Sequence, residues 1–182
     1  MAFLYLVRHG EPLSGWGEAN PDPGLSKLGL AQAAHVAGVL RSRGVGAAIT
    51  SPLLRCRETA AAFEMETGAV ADVAEGVREV PTPTDVKDRP RWLSGIMAGA
   101  WKEAPTLAVF REGVIEALLA QSRDVAVFSH YVAINAAVGA ALGDDAVMVF
   151  KPAHCSITVL SNDGGKLTLV ERGAETAAVN AL

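Results

Sequence analysis

Two unbroken apolar runs, Phe3 to Val7 and Val125 to Phe128, each stop at a polar residue and a histidine: Arg8-His9 after the first, Ser129-His130 after the second. A strand with one wet face alternates apolar and polar residues. A run without alternation is therefore a strand covered on both sides, as in sheets sandwiched between helices. That requirement holds the chain to an α/β plan, and 182 residues of which 50% are hydrophobic suffice for one domain with a real core.

The segments between and after the runs fit this plan. Ser26 predicts the cap of a helix reaching about Arg43 and stopped by Gly44. Ala47 to Thr50 reads as a short strand. Ser51-Pro52 then predicts an N-cap and first helical position for a helix that runs to Thr67 and ends at Gly68. From Val80 to Pro105 the chain carries Pro81, Pro83 and Pro90, scattered charges, and both Trp92 and Trp101. This reads as an irregular, cap-like excursion with one short helix. Leu107, Phe110, Val114 and Leu118 form a helical stripe leading to a turn near Ser122, and Val132 to Leu142 predicts a helix that is apolar nearly all round. Ser156 to Leu160 and Lys166 to Val170 flank Asn162-Asp163-Gly164-Gly165 and predict a hairpin. The expected fold is a single α/β domain over residues 1–182. It is a three-layer sandwich with a mainly parallel sheet, one antiparallel edge hairpin and helices on both faces.

Charge and composition narrow the function. A net charge of -4 argues against broad binding to nucleic acid or an anionic membrane. No run of about 18 apolar residues could span a bilayer, and the first residues lack a basic, signal-like start, so the cytoplasm is the expected location. Cys56 and Cys155 form no CxxC pair and read as reduced core thiols. The sequence offers no cluster spaced to hold a metal. His154 reads as a strand start and His35 as a helix-surface or packing residue.

Ligand sites in open α/β sheets lie outside the carboxyl ends of the strands, which is where Arg8, His9 and His130 stand. Arg8-His9-Gly10-Glu11 has no packing logic of its own; the arginine suits an anion and the glycine a close backbone approach. Arg55 falls on the first turn of a helix whose free N–H groups already favour anions, whereas Arg57 reads as solvated.

Together these segments resemble the histidine phosphatase superfamily, with its phosphoglycerate mutase-like fold, over most of the chain. Leu6-Val7-Arg8-His9-Gly10-Glu11 looks like the family's signature, and Leu25 to Ala33 resembles its Leu-Ser/Thr-x-x-Gly-x-x-Gln-Ala helix start. Ser51-Pro52-Leu53-Leu54-Arg55-Cys56-Arg57-Glu58-Thr59-Ala60 is similar to the segment bearing the second phosphate-binding arginine, and Phe128-Ser129-His130 matches the second histidine. Two departures stand out. Tyr131 replaces the glycine that usually follows that histidine, and Val77-Arg78-Glu79 runs into Val80-Pro81-Thr82-Pro83 rather than the usual Trp-Glu-Gly pattern.

The resemblance implies a phosphomonoesterase acting on a small phosphorylated substrate without metal or other cofactor. His9 would be the nucleophile that becomes phosphohistidine, with Arg8, Arg55 and a protonated His130 holding the phosphate and Glu79 moving the proton. Glu11 and Asp22 are rival acids, read more simply as an arginine partner and a turn cap. A phosphomutase, a non-catalytic phospholigand-binding regulator and a metal-dependent phosphohydrolase are the competing functions. Lys87, Arg89, Arg91, Trp92 and Trp101 form a possible substrate rim for a second anionic group; the alternative is that the tryptophans anchor the excursion and the cations are solvated.

Overall fold

A computed structural model of the chain describes residues 1–13, 20, 22–103 and 105–176. The strands are β1 (Ala2–Arg8), β2 (Ala48–Thr50), β3 (Ala71–Val73), β4 (Val125–Ser129), β5 (Ile157–Asp163) and β6 (Lys166–Glu171). The helices are α1 (Lys27–Ser42), α2 (Leu54–Thr67), α3 (Arg89–Met97), α4 (Pro105–Leu119) and α5 (Tyr131–Leu142).

One six-stranded sheet runs in the order β3-β2-β4-β1-β5-β6. β3, β2, β4 and β1 are mutually parallel. β5 is antiparallel to both β1 and β6, and β5 and β6 form the antiparallel hairpin at the edge of the sheet.

The two apolar runs became the two central parallel strands, paired Leu4 with Val125 through Arg8 with Ser129. Successive side chains point to opposite faces of a sheet. Leu4, Leu6, Val125 and Val127 accordingly enter the core beneath α4 and α5, while Val7, Ala126 and Phe128 pack against Val36, Leu40, Cys56 and Phe63 of α1 and α2. Covered on both faces, β4 is buried at every residue. The register also sets His9 beside the end of β4, where its N–H donates to Ser129 O at 3.0 Å.

One local reading changes, the start of α2. α2 begins at Leu54, with Leu53 at its cap in extended backbone, instead of at Pro52. Its first N–H is held from outside: Leu54 N donates to Asp22 Oδ1 at 2.9 Å and Oδ2 at 3.1 Å, so Asp22 takes the capping role expected of Ser51. β3 has one buried and two exposed residues and gave no apolar signal. Glu79 follows a single 3-10 turn, Glu75–Val77. The excursion contains α3, capped by Asp88, whose side chain accepts from Arg91 N. No helix among the described residues is long and apolar enough to cross a membrane.

Candidate active site

His9 is 3% exposed, and its backbone is fixed on both sides. Gly10 N donates to Thr59 Oγ1 at 3.0 Å, and that hydroxyl donates to Arg55 O at 2.7 Å, so the signature turn and the first turn of α2 are bolted together. Gly10 also lies against α1, where a Cβ would come 2.6 Å from Gly29 O. The His9 ring Nδ1 stands 2.8 Å from Gly10 O. A carbonyl only accepts, so Nδ1 carries the proton and Nε2 keeps its lone pair. Arg55 Nε donates to that Nε2 at 3.3 Å. Burial, then the charges of Arg55 and Arg8, hold the ring well below the ordinary histidine range, leaving it neutral.

His130 is fully buried, and its ring centre lies 5.2 Å from that of His9. It caps α5 in extended backbone. Arg55 Nη2 is 3.2 Å from its Nδ1, and Nε2 is 2.7 Å from Ser51 Oγ. A guanidinium only donates, so Nδ1 accepts and the proton sits on Nε2, facing Ser51. The Cys56 sulfur lies 3.2 Å from the same Nε2, and its S–H points to Ser129 O at 3.3 Å. Burial and the neighbouring His9, Arg55 and Arg8 drive His130 well below the ordinary range, whereas the expected imidazolium is that of the phosphate-bound site. Positive charge on this ring requires an anion that draws Arg55 Nη2 away and compensates the added proton.

Arg55 thus bonds both histidines, and its Nη1 lies 3.6 Å from Asp22 Oδ1. Arg8 is 9% exposed; its Nη1 donates to Pro152 O at 2.9 Å, and its guanidinium carbon lies 5.1 Å from the centre of the Tyr131 ring. Its Nε is buried and has no hydrogen-bond partner among the described residues.

Glu79 is 6% exposed and accepts from Val80 N at 2.9 Å and from Val132 N, in the first turn of α5, at 3.3 Å. Burial raises its pKa; the two backbone bonds, then Arg55 and Arg89, oppose the rise. Of the rival acids, Asp22 is the α2 cap and Arg55 partner just described. Glu11 pairs with no arginine among the described residues: its Oε1 accepts from the Ser26 hydroxyl at 2.8 Å, beside the α1 cap.

The proposed rim divides. Trp101 is not on it: the ring is 1% exposed, stacks on Phe110 and donates from Nε1 to Ala146 O at 3.0 Å. Trp92 is half-buried and packs against the core beneath α4 and α5. Lys87 and Arg91 are exposed, as is Arg57. Of the three rim cations Arg89 alone is half-buried; its Nε donates to Thr82 Oγ1 at 2.7 Å, and burial lowers its pKa against the opposing charge of Glu79.

His154 was misread. It stands in a turn before β5, its ring centre 5.6 Å from that of His9. Only its sequence position after Pro152, in the loop that closes onto β1, could have hinted at this; the approach is made across more than half the chain. Among the described residues no group of three or more His, Cys, Asp or Glu side chains is arranged to hold a metal ion.

Comparison with solved structures finds the same fold in a mycobacterial glucosyl-3-phosphoglycerate phosphatase, 22% identical, covering 97% of this chain and 100% of that one with a TM-score of 0.75. YhfR of Bacillus stearothermophilus is 21% identical over 97% of this chain and 98% of its own, with a TM-score of 0.74. A phosphoserine phosphatase of Entamoeba histolytica, in complex with 3-phosphoglyceric acid, is 22% identical over 97% and 98%, also with a TM-score of 0.74. No curated protein matches by sequence search. The model of the histidine phosphatase superfamily (branch 1) matches residues 4–175, nearly the whole chain, and the chain belongs to that superfamily.

Proposed function

We propose that the protein hydrolyses a small phosphomonoester through a phosphohistidine formed on His9 Nε2. The observation that carries this reading is the tautomer: Gly10 O claims the Nδ1 proton, so the lone pair is on Nε2, beside the Arg55 guanidinium. A neutral imidazole among cations is a poor base and a usable nucleophile, because what lowers its affinity for a proton does not remove the lone pair.

The phosphoryl group sits between Arg8 and Arg55, whose planar forks neutralise its equatorial oxygens. Nε2 forms a bond to phosphorus as the bond to the leaving oxygen breaks. The protonated Glu79 gives that oxygen its proton, and burial keeps a larger fraction of Glu79 protonated than an exposed carboxyl would have. In the second half, water attacks phosphorus, the N–P bond breaks, and Glu79 recovers a proton from the water. The dianion competes for Arg55 Nη2, frees Nδ1 of His130 and favours its protonation, so that His130 becomes a third positive donor.

The names of the relatives speak of phosphoglycerate and phosphoserine, both phosphomonoesters carrying a carboxylate. A small phosphorylated acid is the substrate class this reading favours. Release of phosphate from p-nitrophenyl phosphate, together with an acid-labile, base-stable label on the protein during turnover, tests it. Both should vanish in His9→Ala. Wild-type activity in that variant would sink the proposal.

A further inference from the structure

The loop Pro152–Ser156 is fastened to the signature strand by both chemical ends of Arg8. The Arg8 side chain donates to Pro152 O at 2.9 Å, and Arg8 O accepts from Cys155 N at 2.9 Å. To make both bonds the loop turns sharply: Ser156 N returns to Ala153 O at 3.1 Å, and Cys155 takes φ 53°, the only positive φ outside glycine among the described residues. Non-glycine residues enter this region at a cost, so a surrounding structure must hold them there. What the turn presents is His154. Its ring is half-buried and tilted 44° against that of His9, with centres 5.6 Å apart, and its nitrogens have no hydrogen-bond partner among the described residues.

We propose that His154 is a further phosphoryl-binding residue, donating a hydrogen bond from its ring to a phosphoryl oxygen on the Arg8 side of His9. The inference rests on the reading of His9 as the phosphoryl acceptor and adds a contact which that mechanism leaves out. His9 Nδ1 is tied to Gly10 O, so phosphorus approaches Nε2, and a ring centred 5.6 Å from the His9 ring is within reach of an oxygen carried by that phosphorus. Burial and Arg8 push the His154 pKa down to about 4, so at neutral pH the ring is an uncharged group with one N–H to give. Arg8 supplies charge on this side; His154 supplies a directed donor that adds no further repulsion between cations.

The test is calorimetric titration of wild-type, His154→Ala and His154→Gln protein with inorganic phosphate, with p-nitrophenyl phosphate turnover measured in parallel. A hydrogen bond to a charged acceptor corresponds to roughly 10- to 100-fold in affinity. His154→Ala should weaken phosphate binding by about that factor and raise KM more than it lowers kcat. His154→Gln, which keeps a side-chain N–H, should recover most of the loss. A purely structural loop would not distinguish Gln from Ala, so equal losses in the two variants would overturn the proposal, as would unchanged affinity in His154→Ala or no phosphate binding by the wild-type protein. If phosphate binds and weakens as expected while p-nitrophenyl phosphate is not hydrolysed, His154 keeps its role and the phosphatase reading fails.

Discussion

The guanidinium carbon of Arg8 lies 5.1 Å from the centre of the Tyr131 ring, so the residue standing where the family's pattern has glycine covers one of the two site arginines. The stack and the bond to Pro152 O together fix a long side chain that would otherwise lose rotamer entropy on binding an anion. The Tyr131 hydroxyl is itself anchored 3.2 Å from the Met148 sulfur.

Tyr131→Ala should therefore raise KM for p-nitrophenyl phosphate about 2- to 10-fold, the range expected of a partly shielded cation–π contact, with a smaller effect on kcat. Tyr131→Phe keeps the ring and should stay close to wild type. Steady-state kinetics on both variants decide the matter: a Phe variant as impaired as Ala would assign the effect to the hydroxyl.

Arg55 and Arg57 occupy the same turn of α2, yet one is buried against both histidines and the other is exposed. Two residues along an α-helix is a rotation of about 200°, which separates them completely. Arg55→Ala should lower kcat/KM by at least about 100-fold, since it removes a charged donor from the phosphoryl group and a partner from each histidine. Arg57→Ala should change it less than about twofold. The reverse ranking would mean that Arg55 serves only the fold.

The sequence made the chemistry at strand ends more legible than the loops around it. Leu4, Leu6, Val125 and Val127 had to be buried on one face and Val7, Ala126 and Phe128 on the other, which set the two central strands and with them Arg8, His9 and His130. β3 could not be read because its backbone pairing with β2 carries no side-chain pattern: Asp72 and Val73 both face solvent. The α2 start was misplaced because its cap, Asp22, comes from 32 residues away. His154 was misread for the same kind of reason, since its approach to His9 depends on the Arg8 bonds that hold its loop. Trp101 and Arg89 were read as alike in a proline-rich stretch; only packing separates a core ring from a half-buried cation.

The role proposed for Glu79 carries a pH dependence whose sign follows from its raised pKa. As general acid it must be protonated, so the rate with alkyl phosphates should fall as pH rises through the raised value, above the ordinary carboxyl range. Glu79→Gln cannot give a proton: that limb should disappear, and the rate with alkyl phosphates should drop by about 100-fold or more. p-Nitrophenyl phosphate, whose leaving group hardly needs a proton, should suffer less. Profiles of kcat against pH for both substrates check this, and equal losses on both would leave Glu79 as the buried brace of Val80 and Val132.

Of the rim cations, we propose Arg89 as the one that would meet a second anionic group of the substrate. It begins α3, and its half-buried position places its charge where Glu79 and Arg55 both act on it, whereas Lys87 and Arg91 are exposed. Thr82 Oγ1 takes Nε, which leaves the terminal nitrogens, the planar edge suited to a carboxylate, without an ion pair among the described residues. A phosphorylated carboxylic acid bound by its phosphate to Arg8 and Arg55 would then gain a second charge-assisted contact, while p-nitrophenyl phosphate has no group to make one. Arg89→Ala should raise KM for 3-phosphoglycerate or phosphoserine by about 10-fold and leave that for p-nitrophenyl phosphate within about twofold. Lys87→Ala and Arg91→Ala should shift neither. Because Arg89 also opposes the raised pKa of Glu79, a loss shared by all three substrates would instead place its effect on the proton transfer, and kinetics on the three substrates side by side separates the two.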